Sequence, residues 1–407
     1  MASKFFLVFL LAALLEPSEL GIYGLFVATI SYAVYPLGFD FYTYSTREIL
    51  KTQRNSWGGI LKSQGALHLT LYFLVLPLLS LLFLFDVLPG EMALYFYALL
   101  ITEHLNQEFI RFFTAISKPL TASLVFFMRS GMWALIAATA MFLYEDYRNI
   151  NTIMMLWLTG SFTALSFAIF SLLKMNLKGW HASIDTSWIL AGLKKAAPFL
   201  MATLAIRGIL TFDRYLIEAQ QGLELLGAYV LFMGIANAML IFVDAGISAF
   251  CYPKLITSYN QEDSETYRNT LRSYACQTLI FVVAYVLLST ITLDFMLSII
   301  DNDIYLRYAD LYPLIALSIG FYAISNVPHY GLYAQGKDNH IIYTHLLCLV
   351  AFLLMVWLLT ELMIEKAVAY GLLSTFLLLL ISKSILLFKV TPAKFINYQS
   401  TLPTPPS

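Results

Sequence analysis

The chain is poor in charge. Only 12% of its 407 residues are Asp, Glu, Lys or Arg, 25 acids against 24 bases, whereas a soluble domain carries about 25%. It has three cysteines, Cys251, Cys276 and Cys348, without metal-ligand spacing, so neither a disulfide framework nor a cysteine metal site is expected. Catalytic signatures are missing as well: no HExxH, Walker sequence or GxSxG occurs, the six histidines are scattered, and no cofactor is implied. No connection between apolar runs on the predicted outer side exceeds about a dozen residues, leaving no room for a soluble domain. What fills the chain is apolar: 60% hydrophobic residues and a mean hydropathy of +0.75 place it in a bilayer.

Apolar runs separated by short polar turns predict an all-α polytopic membrane protein of about twelve transmembrane helices. They are Phe5–Leu15, Leu20–Tyr44, Ala66–Phe85, Met92–Phe113, Leu120–Tyr144, Ile153–Leu173, Leu193–Ala219, Leu225–Tyr252, Leu271–Ile300, Tyr308–Ala334, Ile341–Leu362 and Ala367–Phe388. The first run is too short to cross, since about 11 residues cover about 17 Å. A truncated first helix, with the start lost or placed too late, is the favoured explanation. Lys and Arg gather on alternate connections, among them Arg47, Lys51, Arg54 and Lys62, then Lys174, Lys178, Lys194 and Lys195, while Arg148, Arg307 and Lys366 stand on the other side. The positive-inside rule then puts both termini in the cytoplasm.

The chain also repeats itself. LGIYGLF at 20–26 returns as LGAYVLF at 226–232, an offset of about 206 positions that pairs Gly21 with Gly227 and Tyr23 with Tyr229. Each copy then carries a carboxylate beside a glycine, Asp40 after Gly38 and Asp244 before Gly246. Half the chain length separates the copies, which predicts two similar halves meeting face to face. The divisions are 1–174, an amphipathic cytoplasmic linker at 175–192 lying along the membrane surface, 193–390, and a disordered cytoplasmic tail at 391–407.

Charge inside a bilayer is costly and marks candidate sites. Counting at 1.5 Å per residue, Arg129 lies about 16 Å from Lys118, and Arg207 and Glu103 lie about 18 Å from Lys195 and Glu91. Arg129 and Arg207 have two readings: lining a wet cavity and gripping phosphate with their guanidinium forks, or pairing internally with Glu103. Glu103 pairs with an arginine or handles an ion, and Asp40 and Asp244 are further candidates for ion coupling. Asp213 and Arg214 read as a structural helix-end pair. Arg47 stands at the inner mouth, where anchoring alone would explain it. Tyr32 and Tyr35, three apart on one face, offer hydroxyls to sugars or pack.

The segments LGIYGL (20–25), PLGFDFYTYSTREI (36–49), FDRYLI (212–217) and LGAYVLF (226–232), with Ser117-Lys118 and Gly336-Lys337 at two turns, carry a resemblance over almost the whole chain. It resembles the polysaccharide biosynthesis flippases, especially O-antigen flippases, of the multidrug/oligosaccharidyl-lipid/polysaccharide (MOP) exporter superfamily. The resemblance implies twelve helices in two pseudo-symmetric six-helix lobes around a central cavity, in a transporter and not an enzyme, moving an undecaprenyl-pyrophosphate-linked oligosaccharide across the bacterial cytoplasmic membrane. Expected partners are that lipid-linked oligosaccharide, the phospholipid bilayer, a polysaccharide polymerase and a chain-length regulator; nucleic acid is not among them. Rival readings are a drug exporter of the same superfamily and a membrane polymerase or glycosyltransferase. The drug exporter would favour acidic midplane residues, and the enzyme needs a sizeable outer loop.

Overall fold

The computed structural model describes residues 2–362 and 366–396. Among these every regular element is helical. We label the principal helices α1 (Ala2–Leu14), α2 (Pro17–Gly38), α3 (Tyr42–Lys51), α4 (Trp57–Leu79), α5 (Ala93–Ala115), α6 (Pro119–Leu143) and α7 (Ile150–Leu173). They continue with α8 (186–221), α9 (223–260), α10 (Ser264–Ile291), α11 (Tyr312–Ala334), α12 (Asp338–Glu361) and α13 (Ala367–Val390). Nine described segments are long and apolar enough to cross a membrane. One of them, Thr186–Asn260, is two helices, because Gly222 breaks it with φ 83. Adding α5 and the 13-residue α1 brings the rods to twelve, in line with the sequence.

The described residues fall into two compact units. The first takes residues 2–234 with Leu297–Tyr308, the second Ile235–Met296 with residues 309–396. At the centre of the first is α2, fourteen of whose 22 residues are buried. A helix apolar on all sides has no solvent face to offer, so it becomes the core against which others pack. Phe26 meets Phe96 edge to face with centroids 6.1 Å apart, and Trp133 stacks on Trp157 at 5.8 Å. The repeated glycines make a close crossing. A Cβ on Gly21 would lie 2.5 Å from the Leu223 carbonyl oxygen, and one on Gly227 would lie 2.0 Å from that of Pro17. Hydrogen in place of a side chain lets α2 and α9 approach to backbone contact.

Two expectations change. The second helix stops at Gly38 instead of running to Tyr44, because Phe39 and Asp40 take φ values of 53 and 49, and α3 restarts in a new direction. The linker is irregular from Lys174 to Asp185, with turns and positive φ at Asn176 and Gly179, and α8 begins at Thr186. Its carbonyls are occupied by the start of α4: Arg54 donates to Met175 O (2.7 Å), the Gly58 amide to Lys178 O (3.0 Å) and Lys62 to Ala182 O (2.9 Å). The tail is ordered through its first residues. Gln335 donates to Thr391 Oγ1 at 2.7 Å, and Phe395 is buried against Tyr259 and Tyr267; residues 397–407 of that expected tail lie outside the described residues.

The glycine crossing yields a test. Gly227→Val should destabilise the detergent-solubilised protein by about 1–3 kcal/mol, the range for overpacking, because the obstructing atom is backbone. Gly65→Ala, at a helical position with nothing within 4 Å, should leave the melting temperature unchanged or raise it. Equal behaviour of the two variants in a thermal melt would refute the close-crossing account.

Candidate functional site

The turn after α2 builds the site. Two consecutive non-glycine residues in the left-handed region aim Asp40 inward, where it is 2% exposed. Among the described residues its Oδ1 has no hydrogen-bond partner, Thr203 of α8 lies against the carboxyl, and the charges acting on it are those of Arg111, Glu108 and Arg207. Arg207 is exposed on α8, and its guanidinium carbon lies 5.9 Å from the Tyr35 ring centroid. Tyr32 packs on Phe212 of the same helix at 5.7 Å. Four residues singled out in the sequence, Asp40, Arg207, Tyr32 and Tyr35, thus gather where α2 meets α8. Their i, i+3 spacing puts Tyr32 and Tyr35 on the face that α8 covers.

Sequence reasoning undervalued the polar cluster next to it. Arg111 stacks on Tyr42 at 3.6 Å and pairs with Glu108 at 2.5 Å, whose other oxygen accepts from Gln64 at 2.8 Å. His104 packs against Gly38 and accepts or donates at Tyr72 OH (2.6 Å), with His68 edge-on at 4.8 Å. A cavity of about 190 Å³ opens here, lined by Tyr42, Gln64, His68, Glu108 and Arg111 among others. The available signal was the i, i+3 and i, i+4 spacing of His104, Glu108 and Arg111 along α5, a polar stripe in an otherwise apolar helix.

The other candidates are placed as follows. Arg129 is half-buried, and its Nε donates to Glu103 Oε2 at 2.5 Å, the internal pair that the sequence left open. Glu103 is 3% exposed and its second oxygen accepts from Trp157 (2.9 Å) and Ser161 (3.3 Å). That saturated carboxylate holds α5, α6 and α7 together. Asp213 and Arg214 are also a structural pair, 3.1 Å apart, and the repeat residue Tyr229 donates to Asp213 Oδ2 at 2.5 Å. Arg47 is exposed on α3. Asp244, in the second unit, is exposed at the start of a π-helical turn over Asp244–Ser248, with Ser248 Oγ 3.4 Å from its carboxylate. Among the described residues no group of three or more His, Cys, Asp or Glu could hold a metal.

No protein-family model and no curated protein matches the chain. Solved structures do. A multidrug resistance MATE family transporter of the MOP superfamily in an inward-facing conformation superposes with TM-score 0.77 at 14% identity, covering 96% of both chains. The fold is that of MOP-superfamily transporters. An outward-facing structure of such a transporter gives 0.62 at 14% identity, again over 96% of each chain. A Vibrio cholerae MATE transporter gives 0.61 at 15%, covering 98% of this chain and all of that one.

The Glu103 pair is open to a direct test. Arg129→Met strands a buried carboxylate and should cost about 3–5 kcal/mol, whereas the double variant Glu103→Gln with Arg129→Met should cost clearly less than the sum of the single changes. Additive losses in a thermal double-mutant cycle would show that the two groups do not act as a pair.

Proposed function

We propose that this chain is a membrane transporter that moves an amphipathic, anionic substrate by alternating access, and that the substrate is a polyprenyl-pyrophosphate-linked oligosaccharide. The observation that carries this reading is the exposed Arg207, stationed mid-way along a membrane-length helix and backed by Tyr35. A guanidinium keeps its charge in any surroundings and binds phosphate oxygens through two parallel N–H groups. Tyr32 and Tyr35 offer hydroxyls to the sugar, and Arg47 gives a second positive charge on the α3 surface. The head group cannot cross hydrocarbon unaided, because every unpaired polar group costs kilocalories. A polar path replaces its water while the polyprenyl tail stays in lipid. The membrane potential, negative inside, adds about 2.3 kcal/mol per charge per 100 mV for outward movement of phosphate. In this reading the protein sits in the bacterial cytoplasmic membrane with both termini inside and two six-helix lobes. Asp40 and Asp244 are its ion-handling carboxylates, and a polymerase and chain-length regulator act beside it.

A second reading, multidrug export, is supported at least as well by the solved structures, which are MATE transporters. The buried Asp40 with an unbonded oxygen and the exposed Asp244 would suit a cationic drug. Reconstituted full-length protein separates the two. A fluorescent polyprenyl-pyrophosphate oligosaccharide should be translocated, and Arg207→Ala should lower its rate by about 10- to 100-fold, the worth of one charge-assisted hydrogen bond, with Arg207→Lys intermediate. Ethidium transport that survives Arg207→Ala and fails in Asp40→Asn would decide for the drug exporter.

A further inference from the structure

The second unit contains a charged group that the proposed function does not use. Lys383, on α13, is 1% exposed. Its Nζ lies 3.2 Å from His329 Nδ1 on α11, and the His329 ring stacks on that of His345 on α12, centroids 5.8 Å apart and planes 11° from parallel. The three side chains sit at matching depth: Lys383 is seven residues from Val390, His329 five from Ala334 and His345 seven from Asp338, or about 8–10 Å from neighbouring helix ends. The remaining titratable neighbours are weak acids. From α12 comes Cys348, whose Sγ is 3.9 Å from Thr375 O; from α11 come Tyr330, edge-on to His329 at 5.3 Å, and Tyr322, packed on Phe376. From α10, Tyr274 packs on Tyr330, and Asp244 acts electrostatically on that same tyrosine. Among the described residues Lys383 forms no ion pair with a carboxylate.

We propose that Lys383, His329 and His345 form a proton-binding site inside the second unit. Three basic groups in a row have nitrogen lone pairs in excess of protons. Neighbouring positive charges at these distances repel strongly where water is excluded, so the trio holds one proton and not two or three. The bound proton bridges Nζ and Nδ1; its loss leaves a neutral N–H···N contact between the same atoms. The two states differ by a full charge beside a lysine that has no ion-paired carboxylate among the described residues, and that difference bears on the seam where α11, α12 and α13 meet. Such a seam is a place where protonation can bias the packing of three membrane helices. A carboxylate site neutralises itself by taking up a proton. This one does the reverse, charging on protonation, so acid loosens it and alkali lets it close.

The test needs no transport substrate and therefore stands apart from the reading of function. Full-length protein labelled with ¹⁵Nζ-lysine in detergent micelles should show one amine resonance that moves between about pH 5 and 9, the window in which imidazole-coupled groups change charge. That resonance should vanish in Lys383→Met, and its midpoint should shift in His329→Gln. If Lys383→Met fails to fold, Lys383→Arg provides the second arm: it keeps the charge but cannot release it, so the moving resonance disappears. Lysine amines that all stay fixed across this range, or a moving resonance that survives either Lys383 variant, would overturn the proposal.

Discussion

Hydrocarbon offers no hydrogen bonds, and this single constraint orders the structure. Backbone groups must be satisfied within each helix, and a charge must find its partners among neighbouring helices or at a break in the ladder. Three charged residues stand at such breaks. Arg129 lies in a π-helical turn over Met128–Met132, Asp244 opens a second one, and Asp40 is the second of two left-handed residues. A π turn inserts a residue and turns the following side chains out of register, which is how one helix can point a charge at a partner its regular face would miss. In α6 the result is a guanidinium aimed at Glu103, with the Trp133 indole donating back to Arg129 O at 2.9 Å.

The duplication of the sequence shows in the packing as well. Gly21 and Gly227 occupy matching places in the two copies and meet each other at the α2–α9 crossing, so one feature repeated twice makes a single contact. The matched tyrosines act alike. Tyr229 donates to buried Asp213, and Tyr23 lies in the field of buried Glu103, edge-on to Trp157. Each copy brings a phenol near a buried acid that is also paired with an arginine, in a low-dielectric core where an unpaired carboxylate costs several kilocalories.

Much of the fold was legible because a bilayer imposes length and composition on every crossing segment. The twelve rods, the break near Gly222 and the repeat can all be read from residue types. The gathering of Asp40, Tyr35 and Arg207 was half legible: helical periodicity put Tyr32 and Tyr35 on one face, but which helix covers that face is a tertiary fact. Helix ends were less readable. Residues 39–41 continue the apolar run, and nothing in Phe39 announces a positive φ, since glycine and asparagine are the usual occupants. The linker's contacts were hidden for a related reason. Its basic and aromatic composition suits a membrane surface, yet its carbonyls are held by Arg54 and Lys62, more than a hundred positions earlier.

Depth alone did not separate structural charges from candidate functional ones; hydrogen-bond saturation does. Glu103 spends both oxygens on Arg129, Trp157 and Ser161, and Asp213 spends both on Arg214 and Tyr229. Groups so fully engaged have little left to offer a passing ligand, and changing either would cost stability before it cost anything else. Asp40 is different. It is as buried as the others, yet it keeps an oxygen without a partner beside two arginines and a glutamate. A fold marginally stable by nature keeps such an unfilled acceptor in its core only where something else offsets the loss. The same reasoning singles out Lys383, a buried amine whose one hydrogen-bonding neighbour among the described residues is another base. In this chain, then, the incompletely satisfied groups mark where chemistry can happen, and the saturated ones mark what holds the helices in place around it.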